Sequence, residues 1–215
     1  MSAPVKARRQ YDSARRQEQA RQTRWTVLQA ARRLFLDRGF AATTVPAIAA
    51  AAGVSVQTVY KAFGTKPALA KAVFDVSIAG DDEPESMLER ASLGRVRDEP
   101  DPRQKLRRYG EFLAAVAPRH VPVQLVIRDA ATSDPQAREV WADLQAQRLS
   151  GMMLFARALQ DDGHLRAGIS AEEARDVLWT YNSAELFQLL VNERGWAPER
   201  YGSWVASALI AALLP

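Results

Sequence analysis

The stretch that most constrains this chain lies between residues 47 and 66, where a glycine separates two segments of helical pattern. The first segment is rich in alanine and ends at Gly53, which tolerates a positive φ and can stop a helix. The hydroxyl of Ser55 can accept a hydrogen bond from the backbone two or three residues on, so a second helix can begin at Val56. The sequence therefore predicts a helix, a tight turn and a second helix.

The second of these helices has two different faces. An advance of 100° per residue turns Val59, Ala62 and Phe63 to one side and Gln57, Tyr60 and Lys61 to the other. The outward face supplies an amide that can pair with adenine, a phenol and an ammonium suited to phosphate, and Val56 at its rim for a thymine methyl. This face favours insertion into the major groove of DNA. The pattern of helix, glycine turn and helix also occurs in small helical domains of other function.

The starts of the neighbouring helices carry groups that suit phosphate. Thr44 precedes the first helix as its N-cap, and Thr65 and Lys66 open a further helix with a proline in its first turn. Free N–H groups at such helix starts suit phosphate oxygens. We therefore expect DNA contacts from Thr44, Ser55, Val56, Gln57, Tyr60, Lys61 and Lys66.

The residues around these helices favour one interpretation. The run from residue 28 to residue 73 resembles the DNA-binding head of the TetR family of one-component transcriptional regulators. The family's order and spacing are present in Arg38-Gly39-Phe40, Thr43-Thr44-Val45, Ile48-Ala49, Ala52-Gly53-Val54-Ser55, Val59-Tyr60, Phe63 and Lys66. The resemblance implies an all-α fold, in which a three-helix helix-turn-helix head is joined through a fourth helix to a helical ligand-binding and dimerisation body.

Charge is distributed unevenly along the chain. Residues 1–70 contain 12 Lys and Arg against 3 Asp and Glu, whereas residues 71–215 contain 17 against 22, for a net charge of +4 overall. A basic first third on a mildly acidic remainder is typical of a DNA-binding head joined to a body with another role. A merely solvated basic face is the alternative from charge alone.

Three regions are predicted along the chain. Residues 1–22 form a basic N-terminal arm and the start of helix 1, and residues 1 to about 12 are expected to be mobile because they offer little to bury. Residues 23–79 form the DNA-binding domain, including a linking fourth helix over 67–79. Residues 80–215 form the effector-binding and dimerisation domain, after an acidic, proline-containing boundary at 80–84.

The body is predicted to be entirely helical, because no alternating apolar run is long enough to indicate strands. Glycines and prolines divide it into predicted helices at 85–96, 103–117, 121–132, 136–160, 171–194 and 199–214. The helix over 171–194 is apolar nearly all round, and the last helix carries a further apolar stripe. We expect a homodimer through these last two helices, which the resemblance also implies. The alternative is the core of a monomer.

Several classes of function are not expected. There is no cysteine, and the only histidines, His120 and His164, lie far apart, so neither a disulfide nor a metal site is predicted. Nucleophile-elbow, dinucleotide and P-loop motifs are absent, so neither catalysis nor a cofactor is expected. The sequence has neither a signal peptide nor an apolar stretch of the roughly 20 residues that a membrane span needs. A soluble, cytoplasmic protein is expected.

The resemblance implies a pocket for a small effector among the middle helices of the body. Candidate lining residues are aromatic, Met or isolated polar residues on mostly apolar faces: Tyr109, Phe112, Arg128, Met152, Phe155, Trp179 and Asn182. Each also fits an ordinary core or surface role. Arg128 is the most distinctive, because it stands in an apolar run, although the neighbouring Asp129 could satisfy it.

The expected function is a homodimeric transcriptional regulator, a repressor rather than an activator, which binds a palindromic operator on double-stranded DNA. The resemblance implies that a small-molecule effector displaces helix 4. This movement changes the separation of two heads, which must be about 34 to 36 Å apart to contact successive major grooves. The alternative is a helical small-molecule-sensing or scaffolding protein without specific DNA readout. An enzyme is the third reading.

Overall fold

The computed structural model describes residues 4–80 and 91–215, and the side chains within 15–80 and 93–215. The described ranges are helical and contain no strand. The helices are α1 (Pro4–Ala42), α2 (Val45–Ala52), α3 (Val56–Phe63), α4 (Lys66–Ala79), α5 (Ala91–Arg97), α6 (Pro102–Ala130), α7 (Pro135–Asp161), α8 (Ala171–Tyr181), α9 (Ala184–Phe187) with a π-helical turn at Gln188–Glu193, and α10 (Pro198–Leu213). The predicted all-α fold is confirmed. None of these helices is long and apolar enough to cross a membrane.

The helix-turn-helix is built by the caps that the sequence predicts. The hydroxyl of Thr44 accepts a hydrogen bond from the N–H of Ala47 at 3.2 Å, and that of Ser55 accepts from the N–H of Thr58 at 3.0 Å. Between them Gly53 ends α2 in the left-handed conformation, with φ 66° and ψ 31°. These local bonds satisfy backbone groups at the helix ends and fix the turn between α2 and α3.

Helix α1 is longer than predicted at its start. The stretch 4–12, predicted as a mobile arm, is helical from Pro4 onward. Proline suits the first turn of a helix, and no further Gly or Pro interrupts the chain before Gly39. Gly39 then leaves the helical conformation, with φ 75° and ψ 173°, which places the end of the regular helix where the sequence predicts it.

The core of the head does not stop at the predicted domain boundary. Buried side chains of α1 to α4 pack with five buried residues of the body: Val123, Ile127, Ala130, Ala137 and Leu144. These residues belong to α6 and α7, so apolar contacts connect the head directly to the body. Movement of α6 or α7 would therefore shift the side chains that pack against α4.

Helix α6 corrects one prediction. Two helices were expected at 103–117 and 121–132, but the chain forms a single helix that runs through Pro118 and Pro122. Proline lacks an N–H and removes one backbone hydrogen bond inside a helix. Buried residues on both sides of the prolines, including Val116 and Val123, hold α6 against its neighbours and offset that loss.

The predicted helix over 171–194 is also wrong in detail, because it is interrupted after Tyr181. Arg148 of α7 donates hydrogen bonds to the carbonyls of Trp179 and Asn182 at 2.9 and 2.7 Å, and so takes over acceptors near the end of α8. Ser183 then caps the next turn by accepting from the N–H of Leu186 at 3.3 Å. The predicted helices 136–160 and 199–214 are each within one residue of α7 and α10. Of the predicted helix 85–96, residues 85–90 lie outside the described residues, and residues 91–96 are helical in α5.

The body is organised around the crossing of α6 and α10. Gly110 and Gly202 face each other there, and a Cβ atom added to either would collide with the backbone carbonyl of the other. Two glycines thus allow the helix backbones to approach closely. Around this crossing lie buried Tyr109, Leu113 and Val205.

Candidate functional site

One face of α3 is presented to solvent and defines the candidate recognition face. It consists of Val56, Gln57, Tyr60 and Lys61, all exposed, with Val56 and Tyr60 at 37% and 49% exposure. The opposite face carries Val59, which is 2% exposed and joins the head core. Exposed Ala62 departs from the predicted inward face. The structure therefore brings together four of the seven residues predicted to contact DNA.

Two further predicted residues border this face at helix starts. Thr44 and Ser55 are exposed N-caps of α2 and α3, and the Ser55 hydroxyl also lies 2.8 Å from the hydroxyl of Thr58. The start of a helix presents N–H groups and a partial positive charge. Both positions can therefore take a phosphate oxygen. Arg24 flanks the same region, with its guanidinium 4.6 Å from the centroid of the Phe63 ring.

Lys66 corrects the seventh assignment. Its ammonium donates to the carbonyls of Phe40 and Thr43 at 2.8 and 3.0 Å and lies 4.0 Å from the centroid of the Phe40 ring. Burial lowers the pKa of Lys66, partly opposed by the charge of Asp134. The side chain thus closes the C-terminal end of α1 instead of facing a phosphate. Sequence spacing gave no sign of this role, because the carbonyls lie more than 20 residues away along the chain.

Five of the residues predicted to line a ligand site meet in the body, around Tyr109. The ring of Tyr109 packs edge-on against Phe155 at 5.1 Å and stacks with Phe112 at 6.3 Å between centroids. Its hydroxyl donates to the sulfur of Met152 at 3.5 Å, and the side-chain amide of Asn182 donates to the same sulfur at 3.8 Å. Burial raises the pKa of Tyr109, so its hydroxyl remains protonated.

Trp179 joins this cluster through a residue that the sequence analysis missed. The guanidinium of Arg148 lies 4.3 Å from the centroid of the Trp179 ring and bonds the Trp179 and Asn182 carbonyls. Arg148 stands one helical turn before Met152 on α7, a spacing that could have placed the two side chains on one face. We call Tyr109, Arg148, Met152, Phe155, Trp179 and Asn182 the body cluster.

Arg128 does not belong to the body cluster. Its side chain is 30% exposed and pairs with Asp129 at 3.1 Å and with Glu185 at 3.4 Å. The neighbouring aspartate therefore satisfies it, as the alternative interpretation of the sequence allowed. A role for Arg128 in a ligand site stays a prediction.

Solved structures share this architecture. NalD, the secondary repressor of the MexAB-OprM multidrug efflux pump in Pseudomonas aeruginosa, superposes with a TM-score of 0.70 at 22% identity, covering 91% of this chain and 98% of that one. FadR from Bacillus subtilis, solved with stearoyl-CoA, gives 0.69 at 18% identity over 87% and 97%. A transcriptional regulator from Saccharomonospora viridis, solved with choline, gives 0.66 at 18% identity over 90% and 98%. At these identities the likeness shows a shared fold.

The sequence of the head matches a known protein family. Residues 27–73, which span α1 to α4 and contain the recognition face, match the family described as bacterial regulatory proteins, tetR family. Among curated proteins, none matches the chain at a significant level. The matched helix-turn-helix over residues 27–73, the all-helical body behind it and the shared fold together support a regulator of the TetR type.

Proposed function

We propose that this regulator is a homodimeric repressor, which binds a palindromic operator through α3 and is released by a small molecule bound in the body. The observation that carries the proposal is the recognition face, four exposed side chains on a helix fixed at its start by Ser55. The division into a head over 23–79 and a body over 80–215 is part of this proposal.

Specific readout is assigned to Gln57. Its exposed amide can donate to and accept from a base edge, the bidentate pattern that suits adenine. Lys61 and the helix starts at Thr44 and Ser55 are assigned to phosphates, which hold the protein in register without carrying sequence information. Tyr60 and Val56 complete the contact surface with a phenol and an apolar edge.

Dimerisation is assigned to the last helices because apolar side chains remain uncovered there. Leu189 is 48% exposed, and Leu186, Leu190, Trp204 and Ile210 around it are only partly buried. Pairing of two copies through this surface would remove it from water. A two-fold dimer places its heads symmetrically, which is why a palindromic site is proposed.

The contact between α4 and α6 supplies a route from the body to the head. Arg119 of α6 donates to the carbonyls of Ser77 and Ile78 at the end of α4, at 3.2 Å each. Beside it, His120 packs edge-on against Phe74 of α4, with 5.7 Å between ring centroids. A ligand that shifts α6 would therefore pull on α4 and change the separation of the two heads.

The test is a binding measurement on operator DNA obtained by selection from genomic fragments. Gln57→Ala should cost about 1 to 3 kcal/mol per half-site on the selected operator and little on a scrambled duplex. Gln160→Ala, a change of an equally exposed glutamine in the body, serves as the matched control. Failure to enrich any palindromic sequence would favour the sensing or scaffolding alternative.

A further inference from the structure

The body cluster contains more hydrogen-bond donors than acceptors. Within the described parts of the chain, neither Nε of Arg148 nor Nε1 of Trp179 has a hydrogen-bond partner, although both atoms are enclosed. The hydroxyl of Tyr109 and the amide of Asn182 share the thioether sulfur of Met152, which is a weak acceptor. The cluster thus holds two donors without a partner, and two more whose contacts with sulfur are weak.

The charge in this cluster is also incompletely compensated. The acceptors that Arg148 contacts are neutral, namely two backbone carbonyls and the side-chain oxygen of Gln145 at 2.9 Å. In the described residues no carboxylate forms an ion pair with Arg148. Glu185 acts on Arg148 only through longer-range electrostatics, because the Glu185 carboxylate pairs with Arg128. Burying a cation without a carboxylate partner is costly.

The walls of the cluster are apolar. The Tyr109, Phe112 and Phe155 rings pack against one another, and the sulfur of Met152 contacts both the Tyr109 hydroxyl and the Asn182 amide. Methionine is unbranched and flexible, so it can move aside for a ligand at small cost. A single cation beside aromatic rings suits a ligand with one negative charge and an apolar skeleton.

We propose that the body cluster binds a small apolar carboxylic acid, whose carboxylate accepts from Nε of Arg148 and Nε1 of Trp179. The ligand's oxygens also take the hydrogen bonds that Tyr109 and Asn182 now give to sulfur. This inference rests on the proposed function in one respect, that the molecule bound here is the effector. Because Arg148 also holds the end of α8, a carboxylate on it acts directly on the helix next to the proposed dimer surface.

The test is isothermal titration calorimetry on the full chain without DNA. The probes are octanoate, decanoate and 3-phenylpropanoate, compared with octanol and octylamine as neutral and cationic counterparts. A carboxylate should bind about ten- to a hundredfold more tightly than the alcohol, as expected for charge-assisted hydrogen bonds. Failure of all three carboxylates to bind, or equal binding of octanol or octylamine, would overturn the proposal.

Two variants locate the binding site. Arg148→Gln should remove the preference for the acid over the alcohol, whereas Arg157→Gln, which changes an exposed arginine of the same helix, should keep it. Trp179→Phe keeps the ring beneath Arg148 and removes only the Nε1 donor, so it tests the site even if Arg148→Gln does not fold. We expect it to weaken the acid about tenfold and to leave the alcohol unchanged; an unchanged acid affinity would contradict the assignment.

Operator release is measured separately, by adding the tightest acid to the preformed complex with DNA. Binding of the acid in a chain that recognises no operator would refute the proposed function and leave the ligand assignment standing. Operator recognition in a chain that binds no acid would refute the ligand assignment and leave the proposed DNA-binding function standing.

Discussion

Replacing Lys66 separates a structural role from a DNA-contacting one. The Lys66 ammonium makes two hydrogen bonds to the carbonyls of Phe40 and Thr43 and stacks on the Phe40 ring. Lys66→Met keeps the length of the side chain and removes the charge and the donors. The carbonyls at the end of α1 then lose their partner in a half-buried position, where water replaces it only in part.

The magnitude follows from these contacts. A hydrogen bond from a charged donor contributes about 1.5 to 3 kcal/mol, and a cation over an aromatic ring about 0.5 to 1 kcal/mol. Because the ammonium is half-buried and water replaces part of what is lost, we count one net hydrogen bond and the ring contact, which together give about 2 to 4 kcal/mol, and take the lower part of that range. Lys66→Met should therefore lower the free energy of unfolding by about 2 to 3 kcal/mol.

The assay pairs urea unfolding with DNA binding at several salt concentrations. Lys61→Met is the matched control, since Lys61 is exposed on the recognition face. It should change stability by less than about 0.5 kcal/mol and reduce the slope of log affinity against log salt by about 1 per subunit. Lys66→Met should leave that slope unchanged on nonspecific DNA. A stable Lys66→Met variant with a reduced salt slope would refute the structural role and restore the phosphate contact.

Three further comparisons test the helix packing, the buried histidine and the proposed dimer surface. Gly110→Ala should destabilise the chain by about 1 to 3 kcal/mol, because the added Cβ meets the facing backbone of α10. Gly151→Ala is the control: open space surrounds Gly151, so the change should stabilise α7 by about 0.5 to 1 kcal/mol. Thermal unfolding of the two variants compares them. Burial lowers the pKa of His120 to about 4 from its ordinary 6.5. Between these pH values the unfolded chain binds a proton that the folded chain does not, so the free energy of unfolding should fall by about 3 kcal/mol as the pH drops from about 6.5 to about 4. His120→Phe should flatten that part of the stability curve in urea titrations, and an unchanged curve would show that other groups produce it. Leu189→Arg should convert the dimer to a monomer in light scattering, while Leu154→Arg, at an equally exposed leucine of α7, should not; a dimer that persists in Leu189→Arg would exclude this surface.

The sequence by itself determined the helix-turn-helix and its recognition face. The caps at Thr44 and Ser55, and the left-handed Gly53 between them, depend on bonds within a few residues. Such bonds follow from local residue types and spacing. The side chains of α3 follow the helical period, so burying Val59 on one face places Gln57 and Lys61 on the exposed face.

Tertiary structure decided the features that depend on partners distant in the chain. Lys66 faces inward because the end of α1 lies beside it, and α6 continues through Pro118 because neighbouring helices hold it on both sides of the break. Arg148 ends α8 and joins the body cluster by bonds to carbonyls more than 30 residues away. Local sequence cannot fix such contacts, because the energy that overrides a proline or reorients a lysine comes from groups that only packing brings near.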